Sequence, residues 1–182
     1  MVDDLPSFIA SLTRVRVSAG AIVRDLSGRI LIVHPTYKSD WEIPGGCIEP
    51  GESPAAACGR ELLEELALPS RRVDRMLCVD WVPPAPPWDG ALGFVFDGGR
   101  LTPAEITQIR LPAGELDGYA FIAPSEVDDI LIPRLARRVR AALAALESRS
   151  APNYLESGCP SQIVGAAALQ AGMVASVGRT LP

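Results

Sequence analysis

Apolar and polar positions alternate over residues 15–24 (VRVSAGAIVR), and an apolar run fills residues 29–34 (RILIVH). A short polar step from Asp25 to Gly28 joins them, so the pattern predicts a β-hairpin. Residues 41–44 (WEIP) predict another short extended piece, stopped by Gly45-Gly46. The period then changes. Ser53 suits a helix N-cap and Pro54 suits the first helical position, where a missing N–H costs nothing. From there to Leu66, the residues Ala55, Cys58, Leu62 and Leu66 recur at spacings of three and four, which predicts an amphipathic helix with that stripe inward.

Further strands are predicted at about 73–82, 91–97 and 117–123, the first two separated by the proline-rich loop PPAPPWDG. A short helix is predicted at residues 5–12, another from Pro124, and a longer one over 132–149 with Leu135, Val139, Leu143 and Leu146 buried. In that last helix Arg134, Arg137, Arg138 and Arg140 read first as a solvated face and second as phosphate contacts. After residue 150 the patterning fades. Strands mixed with a few helices, without regular βαβ alternation, predict an α+β sandwich. The expected organisation is an extension at 1–13, one domain at 14–149 and a tail at 150–182 of unassigned role.

Composition narrows this picture. A chain of 182 residues supports one well-buried core and leaves little room for two. A net charge of −5 argues against long nucleic acid as a partner, which wants a basic face, but not against a small anion held through a cation. The four cysteines (Cys47, Cys58, Cys78 and Cys159) form no C-x-x-C pair and read as reduced thiols of a cytoplasmic protein. The acidic start lacks the look of a secretory signal, and no apolar run is long enough to span a bilayer.

Chemistry concentrates between Gly45 and Leu68 (GGCIEPGESPAAACGRELLEELAL). Glu61, Glu64 and Glu65 stand at i, i+3 and i+4 of the expected helix, so their carboxylates share one edge and repel. Hard divalent cations with oxygen ligands, Mg²⁺ or Mn²⁺, would offset that repulsion. The hexamer RELLEE alone also fits a solvated acidic helix face.

The longer spacing decides between these. Gly46, Glu52, Arg60-Glu61-Leu62, Glu64-Glu65 and Leu68 follow the order of the Nudix box, G-x5-E-x7-R-E-U-x-E-E-x-G-U, with U aliphatic. Its six fixed Gly, Glu and Arg matches arise by chance on the order of once in ten million per register. The segment therefore resembles the Nudix hydrolase superfamily, and the similarity of element order covers roughly residues 14–147. One position departs, since Ala67 stands where the pattern has a helix-closing glycine.

The resemblance implies a Nudix-type α/β/α sandwich with a mixed sheet. It implies that Glu61, Glu64, Glu65 and the Gly45 carbonyl hold Mg²⁺ (or Mn²⁺), and that Glu52 and Arg60 form an internal salt bridge that supports the loop at Gly46. Some family members use a further glutamate from a later loop, for which Glu115 is the first candidate and Glu105 the second. The general base is then Glu61 or Glu115, and His34 reads as a polar strand-end residue. The implied activity is cleavage of the diphosphate linkage of a small nucleotide-like substrate, either a nucleoside triphosphate or ADP-ribose or another sugar nucleotide. Trp41, Trp81 and Trp88 are candidate stacking surfaces, and Pro83-Pro84 stand about where ADP-ribose-cleaving members have a proline. Family members are often dimers, so a homodimer is compatible with the resemblance. Two other readings remain, a non-catalytic ligand sensor or protein-interaction domain, and an isoprenyl diphosphate isomerase. The unbroken set of box glutamates disfavours both.

Overall fold

The computed structural model describes residues 4–68, 73, 75–149 and 152–160. In chain order the elements are α1 (Leu5–Ser11), β1 (Arg16–Asp25), β2 (Ile30–Pro35), β3 (Gly45–Cys47), α2 (Pro54–Leu66), β4 (Met76–Val82) and β5 (Ala91–Leu101). After these come α3 (Pro103–Ile106), β6 (Leu116–Ile122), a 3₁₀ turn (Pro124–Glu126), α4 (Val127–Ile130), α5 (Pro133–Ser148), β7 (Asn153–Glu156) and β8 (Cys159–Pro160). The strands form one mixed sheet in the order β6-β2-β1-β5-β4-β7-β8, with β3 paired separately to β1. The β1–β5 and β4–β7 pairs are parallel and the others antiparallel.

The alternation along β1 and β2 divides the core in two. Ile22, Ile30 and Ile32 face one side and pack with Leu135, Ala136, Val139 and Ala142 of α5. Ala21, Val23, Leu31 and Val33 face the other and pack with Ala57, Cys58, Leu62 and Leu66 of α2. Two helices thus cover opposite faces of the sheet, the expected α/β/α sandwich.

Several details depart from the sequence reading. The residues at 45–46 do not stop an extended piece. They are the strand β3, with Gly45 and Gly46 opposite Gly20 and Ala19 of β1. On α2 the inward stripe includes Ala57, Glu61 and Glu65, while Ala55 is exposed. The strand β5 runs on to Leu101, past Gly98, where the close approach of Val23 and Ala21 leaves no room for a side chain. The faded patterning after residue 150 conceals β7, which adds to the sheet beside β4. There Asp80, fully buried on β4, accepts bonds from Arg138 Nε (2.8 Å), Arg138 Nη2 (2.7 Å) and the Gly158 N–H (2.9 Å), which pins the β7–β8 turn to α5. Arg137 donates to the Ser157 carbonyl, and Arg140 pairs with Asp128. The arginine face of α5 is therefore largely structural. Most of the tail, at residues 161–182, lies outside the described residues. No described helix is long and apolar enough to cross a membrane.

Candidate functional site

The helix α2 is set firmly at both ends. The Ser53 side chain accepts from the Ala56 N–H at its start. At its end Ala67 itself takes the left-handed conformation (φ 54°), with the Leu68 N–H reaching the Leu62 carbonyl at 3.4 Å. The glycine-like turn is thus kept without glycine, at a conformational cost of about 1 kcal/mol.

This fixed helix presses its acidic edge against β3. Glu61 is only 9% exposed and Glu65 only 6%. The Gly45 N–H donates to Glu65 Oε2 at 2.8 Å. A Cβ on Gly45 would collide with the Ala19 carbonyl, and one on Gly46 would collide with the Glu61 carboxylate. The two glycines are therefore what allows β3 to lie directly on the carboxylates. Burial drives the Glu65 pKa up to about 8, and the neighbouring Glu61, Glu115 and Glu42 add to the rise. Glu61 is also raised, by burial first, although Arg60 works against the rise.

Arg60 organises the loop around this pair. Its Nε and Nη2 each donate to Glu52 at 3.1 Å, its Nη2 also to the Cys47 carbonyl at 3.0 Å, and its Nη1 to Glu61 (2.9 Å) and Glu64 (2.8 Å). These bonds raise the Arg60 pKa, the Glu52 bond foremost, and the Arg60 bond lowers that of Glu52. Glu64 lies on the exposed side of α2, outside the lining of the cleft described next.

Glu61 and Glu65 lie in a cleft of about 580 Å³ that is also lined by Gly45, Gly46, Glu115 and, on other walls, Arg16, Trp88, Arg134 and Arg138. Among the described residues no three His, Cys, Asp or Glu side chains stand together as a ready ligand set. The donor chemistry still fits a hard divalent cation. Two buried carboxylates side by side are costly to ionise together, and a cation beside them would remove that cost.

Other candidates fall elsewhere. Glu105 caps α3 in a reciprocal box with Thr102 and does not line the cleft. His34 pairs through Nδ1 with Asp117 at 2.5 Å and packs on Trp41. Of the three tryptophans only Trp88 borders the cleft, with the Arg16 guanidinium 4.5 Å over its ring. Trp41 packs on the core, and Trp81 lies in β4 against Gly90. All four cysteines are free thiols, and burial pushes those of Cys58 and Cys78 up to about 12. The inward aim of Glu61 and Glu65 had no periodic signal of its own.

The NUDIX domain family model matches residues 14–146. The chain belongs to the NUDIX domain family. An RNA pyrophosphohydrolase of Psychrobacter cryohalolentis is 35% identical over 68 residues, 37% of this chain and 39% of that protein. The matched stretch thus spans well under half the length of that curated relative. Among solved structures, a MutT protein from Methanosarcina mazei Go1 has a TM-score of 0.60 at 20% identity, covering 76% of this chain and 98% of the other. An Ap4A hydrolase of C. elegans has a TM-score of 0.61 at 19% identity, over 74% and 99%. At these identities the likeness concerns the Nudix fold, and it agrees with the mixed sheet between helices described above.

Proposed function

We propose that this Nudix chain is a divalent-metal-dependent hydrolase that cleaves the diphosphate linkage of a small nucleotide-like substrate. The single observation behind this is the burial of Glu61 and Glu65 side by side against the two glycines of β3, on the floor of an open cleft. Such a costly arrangement is hard to explain as packing. Glu61, Glu64, Glu65 and the Gly45 carbonyl are the groups proposed to hold Mg²⁺ or Mn²⁺. A cation there supplies charge neutralisation for the phosphate oxygens and lowers the pKa of the attacking water.

The protein's own groups do the rest. Arg60 holds the Glu61 and Glu64 carboxylates in place, and Glu52 holds Arg60. The Gly45 N–H fixes the Glu65 carboxylate in one orientation. Glu115 borders the same cleft and is exposed, and its carboxylate, or that of Glu61, is the group proposed to accept the proton of the attacking water.

One relative is named an RNA pyrophosphohydrolase and one structural neighbour an Ap4A hydrolase, so the substrate is best found by a screen. Product-resolved hydrolysis of nucleoside triphosphates, ADP-ribose, other sugar nucleotides and dinucleoside polyphosphates is expected to show cleavage of one class with Mg²⁺ or Mn²⁺ and none with EDTA. A folded chain that cleaves none of these compounds with either metal would refute the hydrolase reading.

A further inference from the structure

The cleft is lined by the carboxylates of Glu42, Glu61, Glu65 and Glu115 and by the cations of Lys38, Arg16, Arg134 and Arg138. The charge of Arg138 is used inside the protein, where its Nε and Nη2 both donate to the fully buried Asp80. Arg16 rests over the Trp88 ring and donates to the Asp89 carbonyl at 3.3 Å. Arg134, on the first turn of α5, is different. It is half-buried in the cleft, and its side chain makes no hydrogen bond or ion pair with any described residue.

The carboxylates whose charge reaches it, Asp80 and Glu42, are otherwise engaged. Asp80 is bonded to Arg138 and Gly158, and Glu42 to Lys38 at 2.5 Å. Glu61 is paired with Arg60, and Glu65 accepts from Gly45. Burial, and next the charge of Arg138, push the Arg134 pKa down, so the protein disfavours this charge where it stands. A guanidinium stays protonated regardless and presents a planar fork of donors suited to phosphate. A half-buried, unpaired charge of that kind is a cost unless an anion enters.

We infer that Arg134 binds a phosphate oxygen of the substrate, at a subsite of the cleft separate from its acidic floor. This rests on the diphosphate chemistry proposed above and assigns the anion-reading part of it to α5. A substrate with two or more phosphates would then have one phosphate facing the glutamates and another facing Arg134.

Inorganic pyrophosphate, titrated calorimetrically into the full chain in EDTA, tests this without any turnover. Arg134→Met keeps the apolar stem and removes the donors. It is expected to bind roughly 10- to 100-fold more weakly than wild type, the usual loss for a charge-assisted hydrogen bond. Arg134→Lys is expected to recover part of the binding, and Glu65→Gln to bind at least as well as wild type. With the substrate found by the screen, Arg134→Met should raise KM while leaving kcat within a few-fold, which a merely structural role would not produce. Arg134→Gln replaces the Met variant if the latter lacks a cooperative melt. Wild type and the charge-free variant binding pyrophosphate equally, or wild type not binding it at all, would overturn the inference. Failure of the hydrolysis screen alongside Arg134-dependent pyrophosphate binding would instead remove the proposed activity and leave this subsite standing.

Discussion

Replacing Glu65 by glutamine should abolish hydrolysis and, in EDTA, make the alkaline protein more stable. Glu65 is 6% exposed and its pKa is raised from 4.5 to about 8, by burial first. A carboxyl raised on folding binds its proton more tightly in the fold than in the unfolded chain. Stability is therefore full below about pH 4.5, falls as pH rises, and levels off above about pH 8. The rise caps the penalty at about 5 kcal/mol, and water reaching the open cleft reduces it to about 2 kcal/mol. Glutamine keeps an oxygen for the Gly45 N–H and never ionises. Relative to wild type, Glu65→Gln should gain about 2 kcal/mol near pH 9, or about 4–8 °C in Tm for a domain of this size, and nearly nothing near pH 5. Mg²⁺ should reverse the ranking, because a cation at 100 times its Kd adds about 2.7 kcal/mol to whichever protein holds it. Denaturant melts of both proteins, in EDTA and in Mg²⁺, provide the comparison. The reasoning fails if Glu65→Gln is the less stable protein near pH 9 in EDTA, or if Mg²⁺ stabilises both equally.

Glu52→Gln should lower both Tm and kcat, since Arg60 loses the charged partner that holds it to the β3–α2 loop; thermal melts with steady-state kinetics check this, and an unchanged Tm would contradict it. Ala67→Gly should stabilise the chain by about 1 kcal/mol with activity unchanged, because the left-handed C-cap is strained for alanine and free for glycine, and a denaturation curve reads the gain directly. Asp80→Asn should cost about 3 kcal/mol by leaving Arg138 half-paired beside a buried site. Hydrogen exchange should then speed up at residues 153–158 before it does in β1, and uniform protection in the variant would count against the clasp.

Much of the sandwich is legible because its signals are local. Ser53-Pro54 announces α2, and the alternation of β1 sorts Ile22 from Ala21 and Val23 onto the two faces that the helices cover. The misreadings arise where a long-range partner overrides a local rule. Gly45-Gly46 reads as a break, yet it pairs with β1, because only glycine permits that approach to Ala19 and Glu61. Ala55 fits the apolar stripe but is exposed, while the acidic Glu61 and Glu65 turn inward, which hydrophobic periodicity cannot anticipate. Arg138 looks like one more solvated arginine until Asp80, 58 residues away in the chain, meets it in the fold. Within the site the spacing of Gly46, Glu52, Arg60, Glu61, Glu64 and Glu65 was informative, since it matches a family pattern. Glu115 is implied by the resemblance alone, and its place in the cleft lining is a tertiary fact.

Cleavage in oxygen-18 water is the most direct test of the central claim. A single turnover of the substrate found by the screen, with Mg²⁺, should place one labelled oxygen on a phosphorus of the products for wild type. The same reaction should give no product with EDTA or with Glu65→Gln. Label-free products, or equal cleavage by Glu65→Gln, would contradict metal-dependent attack of water at a site built on that glutamate.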